Sequence, residues 1–188
     1  MPWLVILLSY LVGSIPTAYL IGRVSAGNDI RRMGDANAGA ANAYRELGRG
    51  AGIIVFIIDA VKGSLVIIAA QAINMPQLTV LFAGLAAVIG HNWPVFLGFR
   101  GGRGVSTTIG ILFVLVAWPM LILTVPTLFI LVWRRSVTPS MAFLFITLPL
   151  VDWLLKVQPL LIAYGIALPA LIGITTFLRT RPKALRQA

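Results

Sequence analysis

Two segments of this chain place glycine, asparagine and arginine directly ahead of an apolar run. The first, Asp29 to Gly48, carries Asn37, Gly39, Asn42 and Arg45. The second, Gly90 to Gly110, carries His91, the run Arg100-Gly101-Gly102-Arg103-Gly104, and then Ser106 and Thr107. Glycine lets backbone N–H groups approach an anion with no Cβ in the way. A helix N-terminus adds unsatisfied donors and partial positive charge, and arginine supplies forked donors that match phosphate oxygens. The second segment has each of these parts and predicts a phosphate cradle, although the spacing of a Walker A loop is absent. The alternative for it is a basic turn that holds topology and lipid headgroups. For the first segment, the small residues could equally serve close helix packing.

His91 is the only histidine. It is a candidate for proton transfer, or else an interfacial side chain bonded to backbone. Asp59 and Lys62 stand three residues apart in an apolar run, so on a helix they share a face and can pair. A charge pair inside a membrane marks either a functional site or a structural lock facing the bundle interior. One histidine, five scattered acids and no cysteine predict no metal site, no disulfide and no thiol nucleophile. Nothing in the pattern calls for an organic cofactor.

The elements that must hold these residues are membrane helices. Of 188 residues 59% are hydrophobic and only 11% charged, against about a quarter charged in soluble proteins. The mean hydropathy is +0.96. So few charges cannot cover a water-soluble globule, and one integral membrane domain over residues 1–188 is expected. The net charge of +10 sits at the ends of apolar runs, which points to membrane orientation and anionic substrates rather than nucleic acid.

Apolar runs cover Met1–Ile21, Ala51–Ile73, Leu78–Leu97, Val105–Trp133, Met141–Leu155 and Leu160–Leu178. As one helix the uncharged Val105–Trp133 would reach ~43 Å, beyond a hydrocarbon core of ~30 Å. A pair of shorter helices turning near Trp118-Pro119 is expected instead. Seven spans, N-terminus out and C-terminus in, then leave Lys156 as the only basic residue outside, with Lys62 inside a span. That distribution fits the positive-inside rule. Five spans result if the short helices do not cross. The two halves show no internal repeat, which argues against an inverted-repeat transporter.

These segments resemble the bacterial acyl-phosphate:glycerol-3-phosphate acyltransferases, the PlsY family, over nearly the whole chain. Gly13-Ser14-Ile15-Pro16, with Ala18, Tyr19 and Gly22, is similar to the family's first span, and Asp29 through Gly48 to its first cytoplasmic motif. Asp59, Lys62 and Gly63 are similar to its second-span signature. Gly90-His91 through Gly104, with Ser106 and Thr107, is similar to its second cytoplasmic motif.

The resemblance implies an all-α, seven-helix enzyme of the bacterial inner membrane. It would pass a fatty acyl group from acyl phosphate to glycerol 3-phosphate, giving lysophosphatidic acid and phosphate. It also implies His91 and Asn37 as catalytic residues. Gly39, Asn42, Arg45, Arg100, Gly101, Gly102, Arg103, Gly104, Ser106, Thr107 and Arg181 would bind substrate, supported by Asp59 and Lys62. The partners it implies are the two substrates and membrane lipids, with the chain acting as a monomer.

Several positions depart from the family pattern. Gly-Ser-Gly-Asn reads Gly34-Asp35-Ala36-Asn37, so a carboxylate replaces a substrate-binding serine. Ala-Thr-Asn reads Ala40-Ala41-Asn42, and the lysines usual at positions 100 and 103 are arginines. Near the C-terminus His-Arg-x-Asn-Ile-x-Arg reads Thr180-Arg181-Pro182-Lys183-Ala184-Leu185-Arg186. A negative Asp35 should repel phosphate unless it is protonated or paired with an arginine such as Arg31 or Arg32. Two other readings stay open: a divergent enzyme whose acceptor is less anionic at that subsite, and a non-enzymatic lipid- or partner-binding membrane protein.

Overall fold

The computed structural model describes residues 1–180. Residues 181–188, and with them Arg181 and most of the C-terminal motif, lie outside the described residues. Nine α-helices are present among the described residues: α1 Pro2–Gly13, α2 Thr17–Ala26, α3 Ala40–Glu46, α4 Arg49–Ala72, α5 Gln77–Asn92, α6 Val105–Leu115, α7 Ala117–Arg134, α8 Val137–Leu154 and α9 Pro159–Thr180. Single 3-10 turns lie at Ile30–Arg32 and Val95–Leu97.

The expected first span, Met1–Ile21, is interrupted. Pro16 has no N–H to donate and restricts the residue before it, so α1 stops at Gly13 and a new helix starts at Thr17. That helix runs on to Ala26 and ends on Gly27 at φ +67.

The division of Val105–Trp133 into two helices is observed, but the break is at Val116, ahead of Trp118-Pro119. The arms are unequal. At 11 residues α6 extends only ~16 Å, whereas α7 has 18 residues. Six segments are long and apolar enough to cross a bilayer: Pro2–Ala26, Arg49–Ala72, Gln77–Leu97, Ala117–Arg134, Val137–Leu154 and Pro159–Thr180. The short α6 adds a seventh apolar helix. This is a multi-pass, all-helical membrane protein.

The helices around the site approach through small residues. A Cβ on Gly63 of α4 would strike the Thr107 carbonyl, and one on Gly110 of α6 would strike the Ala60 carbonyl. The α4–α6 crossing is therefore a small-residue contact, the arrangement that lets membrane helices pack without a hydrophobic driving force. Ser64 adds a hydrogen bond to the Gly110 carbonyl at 2.9 Å. Helix α1 lies equally close on α5, where Tyr10 donates to the Trp93 carbonyl at 2.9 Å.

Ile67, Ala83, Val88, Ile111 and Leu168 bury the centre, joining α4, α5, α6 and α9. Leu112, Met120, Leu144 and Leu148 form a second cluster among α6, α7 and α8. A third, smaller cluster of Ala18, Ile30, Ala38, Ala43 and Val55 seats the α2–α3 turn on α4.

Candidate active site

The α2–α3 turn is built around Asn42, which is fully buried in α3. Its Nδ2 donates to the carbonyls of Ile30, Met33 and Asn37 at 3.0–3.2 Å, and its Oδ1 accepts from the Asp35 N–H at 3.3 Å. Asn42, expected among the substrate contacts, thus has its polar atoms taken by backbone and shapes the turn. Gly34 stands at φ +52, and a Cβ there would collide with the Asn42 and Glu46 side chains. Ala36 also takes a left-handed conformation, at φ +57, which costs on the order of 1 kcal/mol for a residue with a Cβ.

Charge pairing in this turn differs from expectation. Arg31 pairs with Asp29 at 2.7 Å, not with Asp35. That guanidinium holds the Asp29 carboxyl below its ordinary range. Asp35 instead reaches two candidate phosphate ligands with one oxygen: Oδ2 accepts from Arg45 Nη2 at 2.9 Å and from Arg103 Nη2 at 3.2 Å. Arg103 belongs to the α5–α6 turn, so the two arginine-bearing segments meet. A second link supports this, because Arg31 Nη1 donates to the Leu97 carbonyl at 2.9 Å.

The α5–α6 turn is gripped by a third element that sequence reasoning treated only as topogenic. Arg179, at the end of α9, donates to the carbonyls of Gly101 at 3.0 Å, Gly102 at 2.6 Å and Asn92 at 2.5 Å. Its guanidinium also lies over the Trp93 ring, 5.7 Å from the centroid. Fixing these carbonyls orients the intervening peptides. The only sequence signal for Arg179 was a cation at a helix C-terminus, which topology alone explains.

Several polar atoms around the start of α6 are buried without a partner among the described residues: both side-chain polar atoms of Asn92, Arg103 Nε, and the hydroxyls of Thr107 and Thr108. Buried donors and acceptors are nearly always satisfied, and the first amides of a helix also lack intrahelical partners. This end of α6 therefore collects buried polar groups that the described residues leave unsatisfied. Ser106 and Thr107 are buried there, and Gly104 initiates the helix at φ +85. Arg100, Arg45 and Asp35 are exposed, and Asn37 is half-buried.

Beneath the turns lies a buried ionic network. Lys62 uses its three N–H bonds on Asp59 Oδ1 at 2.7 Å, the Ile15 carbonyl at 3.1 Å and His91 Nδ1 at 3.0 Å. Thr17 donates to the same Asp59 oxygen at 2.9 Å. The expected Asp59–Lys62 pair is present, and it recruits His91 and Thr17. With Nδ1 accepting from Lys62, the ring proton is assigned to Nε2. That atom faces Gly102, where any Cβ would collide with it. His91, Thr17, Ala38, Pro94, Leu97, Gly101 and Gly102 line a narrow crevice between the network and the turns.

These features define a helical membrane protein with a basic end formed where three stretches of chain converge. Residues 3–187 match the family model for glycerol-3-phosphate acyltransferase. A glycerol-3-phosphate acyltransferase 4 of Dehalococcoides mccartyi is 49% identical over 98% of this chain and 100% of its own length. A glycerol-3-phosphate acyltransferase of Halalkalibacterium halodurans is 41% identical over 78% of this chain and 71% of its own. Two crystal structures of PlsY, an integral membrane glycerol 3-phosphate acyltransferase, superpose on this fold. The glycerol 3-phosphate form has a TM-score of 0.83 at 32% identity, and the lysophosphatidic acid form 0.81 at 30% identity. Each alignment covers 93% of this chain and 87% of the other. The chain belongs to the glycerol-3-phosphate acyltransferase family.

Proposed function

We propose that this protein transfers a fatty acyl group from acyl phosphate to glycerol 3-phosphate. The products are lysophosphatidic acid and inorganic phosphate. The observation that carries this reading is the convergence of Arg45 and Arg103 on one anionic oxygen. Two guanidinium groups from distant segments are aimed at a single acceptor, as phosphate recognition requires.

Both substrates carry phosphate, and the donor carries an acyl chain suited to the surrounding apolar helices. The donor is already activated, so no covalent enzyme intermediate is needed. The glycerol hydroxyl attacks the acyl carbonyl, the bond from that carbon to the phosphate oxygen breaks, and the hydroxyl proton ends on the departing phosphate. Arg103, Arg100 and the amides opening α6 stabilise the charge that develops on that phosphate. Arg103 also reaches across to Arg45, and these two with Arg181 bind the phosphate of glycerol 3-phosphate, while Gly39 and Gly101–Gly104 let backbone come close to both substrates. Asn37, half-buried beside the turn, orients the acceptor. His91 serves as a donor through Nε2, and the Asp59–Lys62 pair holds it in place.

In this reading the chain works as a monomer in the bacterial inner membrane, N-terminus out, with the site facing the cytoplasm. Its seven apolar helices and the basic residues at their ends support that orientation.

The test is purified protein in lipid nanodiscs with acyl phosphate and glycerol 3-phosphate, following phosphate release and lysophosphatidic acid together. Stoichiometric formation of both is expected, and Arg103→Ala should lower kcat/KM by about 100-fold or more, as loss of one transition-state donor does. Phosphate release without acceptor, or only with an uncharged polyol, would overturn the assignment of glycerol 3-phosphate.

A further inference from the structure

We propose that Asp35 is a specificity-determining residue: its carboxylate is a built-in anion seated on the Arg45–Arg103 pair, and a substrate phosphate binds by exchanging with it. This inference rests on the function proposed above and deepens it.

The geometry makes the carboxylate and a phosphate competitors for the same hydrogens. Asp35 Oδ2 accepts from the terminal Nη2 groups of Arg45 and Arg103, at 2.9 and 3.2 Å. These terminal nitrogens are the ones a guanidinium offers to phosphate oxygens. Asp35 is also tethered at the cradle. Its N–H is held by Asn42 Oδ1 at 3.3 Å, and its Oδ1 accepts from the Asn37 N–H at 3.3 Å. It cannot leave the neighbourhood when a phosphate arrives.

Exposure decides which way the exchange runs. The side chains of Arg45 and Asp35 are 50% and 34% exposed, and ion pairs in such settings are weak. A phosphate dianion with more acceptor oxygens can displace a single carboxylate oxygen. Arg103 Nε is buried and has no partner among the described residues, so the Arg103 fork keeps a donor that Asp35 does not satisfy. After exchange the displaced carboxylate remains close to the phosphate and repels it. Asp35 thus cancels one of two cationic charges before binding and adds a like-charge contact after it. Its net effect is to raise the concentration of phosphate monoester needed to fill the cradle.

The experiment compares the wild type with Asp35→Asn, which keeps the shape and removes the charge, and with Asp35→Ser and Asp35→Glu. Steady-state kinetics gives KM for glycerol 3-phosphate, and inorganic phosphate serves as a competing probe. Asp35→Asn and Asp35→Ser are expected to lower both KM and the phosphate inhibition constant by about tenfold, with kcat changed less than twofold. That is the size of one like-charge contact near 4 Å in a largely solvated setting. Asp35→Glu keeps the anion and should keep the high KM.

A KM and inhibition constant that stay the same or rise in Asp35→Asn would overturn the proposal. A rise would show instead that the carboxylate prepositions the arginines. If the wild type does not turn over these substrates, the functional reading fails separately. Titration calorimetry with inorganic phosphate on wild type and Asp35→Asn then still decides the exchange, through the same tenfold difference in affinity.

Discussion

Asp59 and Asp152 are both buried in apolar helices, 1% and 0% exposed, yet their surroundings differ: among the described residues Asp59 lacks a partner only at Oδ2, Asp152 at both oxygens. One oxygen of Asp59 receives Lys62 at 2.7 Å and Thr17 at 2.9 Å, and His91 lies 3.6 Å away. Neither oxygen of Asp152 has a partner among the described residues. Asp152 of α8 sits near Gly165 of α9, and fourteen residues further along, ~21 Å at 1.5 Å per residue, Arg179 grips the α5–α6 turn. The Asp59 carboxylate is tied into a network with Lys62, Thr17 and His91, whereas the Asp152 carboxyl of α8 meets no polar partner among the described residues. A buried charge, taken alone, therefore says little about function; its partners do.

The largest effect that tests this contrast is at Asp59. Asp59→Ala leaves Lys62 buried without its counter-charge and should destabilise the protein by about 3–5 kcal/mol, read as the unfolding midpoint in detergent micelles. Adding Lys62→Met should recover much of that stability without restoring activity. A single variant as stable as the wild type would break the contrast.

Arg179→Lys keeps the charge and loses the planar fork that spans three carbonyls. An approximately tenfold fall in kcat/KM, corresponding to ~1.4 kcal/mol, is expected with an unchanged unfolding midpoint. A lower midpoint with unchanged kinetics would make Arg179 a packing residue only. The smallest effect is at Asp152. Asp152→Leu removes an unsatisfied buried group and should raise stability by about 1 kcal/mol, with turnover unchanged. Lost stability or turnover would mean that this carboxyl has a use and that the two regions are alike.

Much of the architecture was legible. The charge deficit and the lengths of the apolar runs indicated a multi-pass bundle, and the length of Val105–Trp133 required a break inside it. The i, i+3 spacing of Asp59 and Lys62 predicted their pairing, because helical spacing alone brings them together. Three other features were hidden. Thr17 lay inside the expected first span and Asn92 beside His91 with no role assigned, and Arg179 looked like one more topogenic cation. Asp35 was expected to repel phosphate unless protonated or paired, with Arg31 and Arg32 as the nearby examples, and its partners are Arg45 and Arg103. Local proximity favoured Arg31 and Arg32, but Asp29 takes Arg31 by reaching it two residues along the 3-10 turn.

Composition and pattern by themselves determined that this chain enters a membrane, which stretches are apolar enough to cross it, and that Val105–Trp133 must break. Those properties follow from the local cost of placing each residue in lipid or water and from helical periodicity, so they are written along the chain. Which arginine meets which carboxylate was decided only by tertiary structure. The α2–α3 turn, the α5–α6 turn and the end of α9 are far apart in sequence, and their approach is set by how small residues let α4, α5 and α6 pack.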